Sequence, residues 1–422
     1  MQTIRDVLSR DLDQKIEEII KVNQADEQTV YSEITEYIAT DRIKDQYREL
    51  LSAIAEAPRD PHEGVGVWIS GFFGSGKSSF AKNLGYILAN TEVLGHPASA
   101  LFSNQLQDDR IQDDLIRALI QSINTRIPTE VIMFDVSVDL KVKQGTESLA
   151  AIMYTVLLRE LGYATDYGIA ELEIELEKEG KLKDCSERCQ AMYDREWRLV
   201  RKGAQKLSRA SAILHNMDPT TYPSPDTWDK SMQGKSFDIT VGEFVERAFE
   251  LCELRRPGRA LVFIIDEVGQ YVARSTEKIE NLRALVEQFG RVSKNRLKAR
   301  KAIAPVWIVV TSQEKLDEVV AALDSKRVEL AKMQDRFRYR IDMSPADIRE
   351  VATKRVLAKK DDTIPILQQL FRESQGVLNM ALRLERTRRQ SQISEEDFIQ
   401  FYPIITINRW TLIPWAVAKT VF

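Results

Sequence analysis

The segment Gly71–Ser78 constrains the fold of this chain more than any other feature. It reads GFFGSGKS and matches the phosphate-loop pattern G-x-x-x-x-G-K-[ST] at every specified position. A predicted strand, Gly64–Ser70, precedes it, and a predicted helix, Ser79–Asn90, follows. Glycines let consecutive backbone N–H groups turn toward phosphate oxygens at the positive end of a helix. The predicted contacts to ATP are Gly71, Phe72, Phe73, Gly74, Ser75, Gly76, Lys77, Ser78 and Ser79; the alternative is a glycine-rich turn without a ligand.

Two side chains of this motif have separate predicted roles. We expect Lys77 to contact the β- and γ-phosphates and the Ser78 hydroxyl to bind Mg²⁺. Three further apolar runs resemble buried parallel strands, and helical patterns lie between them: Val131–Val138, Ala260–Ile265 and Val306–Thr311. The alternation predicts an α/β fold of the phosphate-loop NTPase type, built on a parallel sheet.

An acidic pair, Asp266-Glu267, ends the run Ala260–Ile265. We expect this strand to lie beside the phosphate-loop strand, so that Asp266 reaches the Mg²⁺ ion and Glu267 polarises an attacking water. Nucleotide and small-molecule kinases rarely need a base at that position, and GTPases usually carry an N/T-K-x-D tetrapeptide, which this sequence lacks. ATP hydrolysis is therefore favoured, with Lys77 and Glu267 as catalytic residues.

Polar residues also follow the run Val306–Val310. In phosphate-loop ATPases of this type, the strand between the two motif strands ends in a side chain that touches the γ-phosphate or the attacking water. Thr311, Ser312 and Gln313 all qualify by spacing. The alternative is an ordinary polar strand end.

A basic segment, Asp335–Asp342, reads DRFRYRID. An arginine here suits a finger that enters the nucleotide site of a neighbouring copy in a homo-oligomer. We select Arg336 as that third catalytic residue, although a neighbouring arginine fits the same pattern. The alternative is a solvated basic strand edge.

Composition narrows the function classes. The 422 residues carry a formal net charge of −4, so a nucleic-acid surface would have to be local. Arg291–Lys301 is the one basic candidate for DNA contact, and a solvated helix end explains it better because no aromatic residues are interleaved. Three cysteines, no apolar run long enough to span a bilayer and no leader pattern predict a cytoplasmic chain without a membrane partner.

The predicted organisation has four parts. A helical arm spans 1–60, and the ATPase core spans 61–343. The core includes a helical insertion and loop at 164–240, with His215–Lys235 as a surface loop. Three helix-like stretches, at about 345–358, 363–373 and 376–390, form a helical lid spanning 344–400. Residues 401–422 carry only two charges, and we expect an atypical or truncated tail.

The residues within these motifs, beyond their spacing, resemble those of the large ATPase of BREX bacteriophage-defence systems. Gly66–Ser78 (GVWISGFFGSGKS) is the most specific stretch, and Glu33–Thr40 and Phe263–Tyr271 fit the same family. The resemblance implies an AAA+-like fold similar to origin-recognition ATPases. It also implies ATP-dependent action with other BREX subunits that methylate host DNA and restrict phage DNA.

The chain departs from that family at two positions. Ser79 stands where members often have His, outside the phosphate cradle. Asn379 stands where a second sensor arginine is common, with Arg383 the nearest substitute. Members are also usually longer, so this chain looks like an N-terminal portion. Two other functions stay open: an ATP-gated assembly scaffold with negligible turnover, and a DNA-loading switch related to replication initiators.

Overall fold

A five-stranded parallel sheet organises the chain. The computed structural model describes residues 4–10, 26–106, 111–136, 148–235, 238–272, 275–321, 328–381, 394–408 and 411–414. The strand order is β4-β5-β6-β1-β7, and every pairing within it is parallel. These strands are β1 (Gly66–Ser70), β4 (Thr129–Asp135), β5 (Ala260–Asp266), β6 (Trp307–Ser312) and β7 (Tyr339–Asp342).

One expected adjacency is wrong. The strand that ends in Asp266 does not lie beside β1, because β6 pairs with both β1 and β5 and separates them. The other expectation is confirmed: a strand with a polar end, β6, lies between the phosphate-loop strand β1 and the strand β5 that ends in Asp266. The basic segment divides, since Arg336 ends a helix while Tyr339–Asp342 forms the edge strand β7.

Helices cover both faces of the sheet, as continuous apolar strands require. Every residue of β1, β5 and β6 is buried. Side chains alternate between two apolar layers, so that Phe263 and Ile265 belong to one layer and Val262 and Ile264 to the other. Helices over the first face are Leu149–Glu160, Val241–Arg255 and Thr276–Lys298; helices over the second face are Asp41–Glu56, Lys77–Ala89 and Ile111–Arg126.

The N-terminal helices, Glu27–Thr35 and Asp41–Glu56, are fastened to the core by buried ion pairs. Lys82 lies 2.7 Å from Glu33, and both side chains are almost fully buried. Lys44 contacts Asp113 at the same distance of 2.7 Å. Removing one partner of such a pair leaves an uncompensated buried charge, so these contacts hold the arm in one place.

The segment between β4 and β5 carries a helical insertion with its own apolar cluster. At its centre the buried Glu173 accepts hydrogen bonds from Trp197 at 2.6 Å and Arg201 at 2.7 Å. One helix, Thr227–Met232, lies where a loop is expected, because Trp228 is buried in this cluster. The helices of the insertion are Tyr167–Lys178, Leu182–Tyr193, Trp197–Val200, Lys206–Met217 and Thr227–Met232.

The C-terminal part is helical. Its helices are Pro345–Arg355, Ile364–Ala381 and Glu395–Phe401, with a 3-10 turn at Asp361–Thr363. The expected break near residue 375 is wrong, because Ile364–Ala381 continues through Gly376. Arg383 lies outside the described residues. The remaining elements are the helices Ile4–Val7, Ala98–Ser103, Val268–Val272, Leu316–Ala321 and Val328–Arg336 and the hairpins β2-β3 (Glu92–Val93, His96–Pro97) and β8-β9 (Ile404–Asn408, Thr411–Pro414).

This architecture confirms the predicted fold class. The fold is α/β of the phosphate-loop type, with a parallel sheet, a helical insertion and a C-terminal helical part. Within the described ranges, no helix is both long and apolar enough to cross a membrane.

Candidate nucleotide site

The loop Gly71–Gly76 lies at the carboxyl end of β1, where ligands bind in open α/β sheets. Gly76 adopts a left-handed conformation with φ +91° and directly precedes the helix Lys77–Ala89. A side chain at Gly71 would approach Ser75 Oγ to 2.5 Å, so only glycine allows the loop to close this tightly. The sequence therefore produces a compact turn that leads straight into a helix.

The beginning of that helix leaves backbone donors available. The first N–H groups of a helix have no partner within it, and Gly76 provides no capping side chain. Ser75 Oγ is buried and has no hydrogen-bond partner among the described residues. Phe72 and Phe73 are 44% and 76% exposed, so we expect their contribution to come from the backbone. These donors make the loop a suitable cradle for phosphate oxygens.

Lys77 is placed at the same end of the sheet. Its Nζ donates to the carbonyl oxygen of Phe72 at 3.1 Å. Burial lowers the pKa of Lys77, while the charges of Glu267 and Asp266 oppose that shift. The cation is thus held next to the loop and within electrostatic reach of both carboxylates.

Asp266 is the buried last residue of β5. Its carboxylate accepts hydrogen bonds from Ser78 Oγ at 2.9 and 3.2 Å and from the Thr311 hydroxyl. Burial raises the pKa of Asp266, and these two hydrogen bonds oppose the increase. Hydroxyl and carboxylate oxygens are the ligands that Mg²⁺ prefers, so the predicted pair Ser78 and Asp266 fits that ion.

Glu267 follows in a left-handed conformation, with φ +58°. Its backbone N–H donates to Thr311 Oγ1 at 3.0 Å. Its carboxylate accepts from Gln270 at 2.9 Å and from Gln313 at 3.5 Å. Burial raises the pKa of Glu267, and the negative charge of Asp266 raises it further. An elevated pKa suits a group that takes up a proton near neutral pH.

The structure separates the three sensor candidates. Thr311 contacts Asp266 and the backbone of Glu267, whereas Gln313 contacts the Glu267 carboxylate. The Ser312 hydroxyl accepts from the N–H of Glu314 at 3.1 Å instead. Thr311 and Gln313 therefore contact the acidic pair Asp266-Glu267, whereas Ser312 shapes the turn after β6.

Three residues at this edge were not found from the sequence. Asp135 pairs in register with Asp266, and its charge raises the pKa of both Asp266 and Glu267. Arg355 donates to Glu36 at 2.6 Å, and both line a cleft beside Ser75 and Gly76. No local motif marks these residues, because they come from separate strands and helices.

Arg336 lies near the amino-terminal end of β1, opposite the phosphate loop. Its backbone oxygen is next to Gly66, the first residue of β1, whereas the phosphate loop follows the last. Its guanidinium group is 3.6 Å from Glu63 and 3.5 Å from Glu287. Arg336 therefore cannot reach the phosphate loop of its own chain.

Comparisons with known proteins do not assign this chain to a family. No protein-family model matches the sequence. A chain of the ORC1 protein of Aeropyrum pernix, solved in complex with DNA, is similar at 10% identity and a TM-score of 0.33. The match covers 85% of this chain and 66% of that one, so this chain spans just under two thirds of its length. At that score the likeness carries no argument about function.

The raised pKa of Asp266 generates a stability prediction. Because burial disfavours the ionised carboxylate, Asp266 binds a proton more readily in the folded chain than in the unfolded chain. The stability of the fold therefore decreases as the pH rises from the ordinary carboxyl pKa through the raised pKa of Asp266. Asp266→Asn keeps an acceptor oxygen and removes the buried charge. We expect thermal unfolding of this variant without nucleotide to occur at a higher temperature than wild type at pH 7.

That gain should disappear as the pH falls to the ordinary carboxyl range, where the wild-type side chain is itself neutral. Asp45→Asn is the matched control, since Asp45 is 57% exposed and forms a surface ion pair with Arg48. A wild type more stable than Asp266→Asn at pH 7 would contradict the stated effect of burial.

Proposed function

We propose that this chain binds Mg²⁺–ATP at the carboxyl edge of the sheet and hydrolyses ATP. One observation carries the proposal: the phosphate loop, the Ser78–Asp266 pair and Glu267 converge at that edge although they are separated by up to 196 positions in the sequence. A glycine-rich turn without a ligand would not need a buried carboxylate hydrogen-bonded to its serine.

Each residue then has a role that its contacts support. Mg²⁺, when bound with ATP, neutralises phosphate charge as the γ-phosphoryl group is transferred. Ser78 and Asp266 would hold the ion, while the loop N–H groups and Lys77 would hold the phosphates. Glu267 would accept a proton from the attacking water, with Gln313 orienting its carboxylate and Thr311 fixing its backbone.

The cleft beside the loop extends this site toward the nucleoside. It is lined by the N-terminal arm at Tyr37 and Ile38 and by the C-terminal helices at Val351 and Arg355. Arg355 Nε is buried there without a hydrogen-bond partner among the described residues. We propose that base and ribose lie in this cleft, between arm and lid.

We further propose that the chain serves an anti-phage defence complex of the BREX type. The resemblance of Gly66–Ser78 and Phe263–Tyr271 to that family supports this role, and DNA would then be the complex's substrate. Affinity capture of the tagged chain from a phage-resistant host should recover a DNA methyltransferase. Capture of replication proteins instead would favour an initiator-like switch.

Two substitutions separate binding from turnover. Lys77→Ala removes a phosphate contact, and we expect ATP binding to be lost. Glu267→Gln keeps the shape of the side chain but cannot accept a proton, so we expect ATP binding close to wild type and turnover at least about 100-fold lower. Equilibrium titration with ATP and steady-state phosphate release measure the two effects. Wild-type turnover in Glu267→Gln would refute the base assignment, and binding without turnover in the wild type would indicate a scaffold.

A finger acting in trans makes activity depend on concentration. We expect ATP turnover per chain to rise with protein concentration and to fall about 10³-fold or more in Arg336→Ala, because the finger stabilises charge on the transferred group. Arg338→Ala is the comparison, since Arg338 is the exposed arginine two residues further on. An Arg336→Ala protein that assembles normally and keeps full turnover would exclude this role.

A further inference from the structure

A second cleft lies at the amino-terminal end of β5, at the opposite end of the sheet from the phosphate loop. It has a volume of about 460 Å³ and is formed by the carboxyl ends of the helices Val241–Arg255 and Thr276–Lys298 with the beginning of β5. Ala260, the first residue of β5, lines this cleft, and Asp266 is the last residue of the same strand. The length of the strand therefore separates the cleft from Asp266 by about 20 Å. We call it the basal cleft. Its volume lies in the range of sites that bind organic ligands.

The floor of the basal cleft is apolar and uncharged. Leu261 and Val306 are buried there, together with the thiol of Cys252. Burial raises the pKa of Cys252 to about 12, so the thiol remains neutral at physiological pH. A small hydrated anion gains nothing from such a surface, but a flat organic ring does.

The rim of the basal cleft is cationic. Arg259, Arg300 and Lys301 line it and are exposed. Arg259 is 3.4 Å from Glu130, while Arg300 and Lys301 have no ion-pair partner in the part of the chain that the structure describes. The acidic residue on the rim is Glu253. A local excess of positive charge in a chain of net charge −4 favours an anionic ligand.

Arg291–Lys301 itself contains no aromatic residue, and the neighbouring helix supplies one. The Arg296 guanidinium lies over the Phe249 ring at 4.6 Å and also binds Glu246 at 2.7 Å. Both Phe249 and Arg296 line the basal cleft. Guanidinium planes and aromatic rings are the surfaces on which unpaired nucleic-acid bases stack.

We propose that the basal cleft binds single-stranded nucleic acid. One base would enter the cleft beside Phe249 and Arg296, and the flanking phosphates would contact Arg259, Arg300 and Lys301. A single strand is favoured over a duplex because a base reaches an apolar floor only when it is unstacked. A polymer is favoured over a free nucleotide because Arg259 and the pair Arg300-Lys301 come from different segments of the rim and can contact more than one phosphate.

Fluorescence anisotropy with labelled 20-nucleotide oligothymidylate and oligouridylate tests this proposal, with a hairpin duplex as the third probe. Titrations without added ATP make the result independent of hydrolysis. We expect the single strands to bind more tightly than the duplex, with affinity falling as salt increases. In Arg300→Gln/Lys301→Gln the slope of log K against log salt should decrease by about 1.4, because each lost single-strand phosphate contact contributes about 0.7.

Lys183→Gln/Arg198→Gln is the matched control, since it removes two exposed cations from the insertion. It should leave binding unchanged. Ala302→Trp tests the interior, because Ala302 lines the cleft without being fully buried. This variant should weaken the single-strand complex and make it insensitive to replacing the bases with abasic sites, a replacement that should weaken wild-type binding.

Any of the following results would overturn the proposal: no binding at 50 mM salt, an equal loss in the control pair, equal affinity for the duplex, or wild-type binding unaffected by abasic sites. Competition by polyglutamate as effective as by unlabelled oligothymidylate would point to an acidic protein partner and would also overturn it. Preference between oligothymidylate and oligouridylate distinguishes DNA from RNA as the source of the strand.

Discussion

The candidate site depends on one buried carboxylate. Asp266 ends β5, yet its hydrogen bonds reach Ser78 on the phosphate-loop helix and Thr311 on β6. Thr311 in turn accepts from the N–H of Glu267. Burying a carboxylate is costly unless it is hydrogen-bonded, so the positions of these partners are closely linked to one another. Three segments distant in sequence are thereby held together at the edge of the sheet where the phosphate loop lies.

The surroundings of that carboxylate explain why the arm and the C-terminal helices matter. Glu33 of the arm binds Lys82 on the phosphate-loop helix, and Glu36 binds Arg355 on the other side of the cleft beside the phosphate loop. Met343, just beyond β7, donates its backbone N–H to Ser70 at 2.8 Å. The phosphate loop thus lies between an arm and a helical part that both contact its supports, so its shape depends on both.

The phosphate loop and most strands were predictable from the sequence because local chemistry determines them. The phosphate loop needs glycine at fixed spacing, and four of the five strands are continuous apolar runs that are visible in the sequence. The strand order was predictable only in part, since adjacency depends on long-range packing: β6 lies between β1 and β5, as its polar end indicated, and this rules out the expected pairing of β5 with β1. Asp135 and Arg355 escaped notice for the same reason: each is an ordinary charged residue until the fold places it at the site. Phe249 likewise reaches Arg296 only through helix packing, which sequence spacing does not show.

The central claim is that Ser78 and Asp266 hold a metal ion together with the phosphates of ATP. Calorimetric titration with ATP, in Mg²⁺ and again in excess EDTA, tests it most directly. The account predicts one ATP per chain and an affinity that falls at least tenfold when the metal is removed, because the carboxylate and the phosphates then repel each other. Equal affinity in EDTA, or no binding in Mg²⁺, would contradict it.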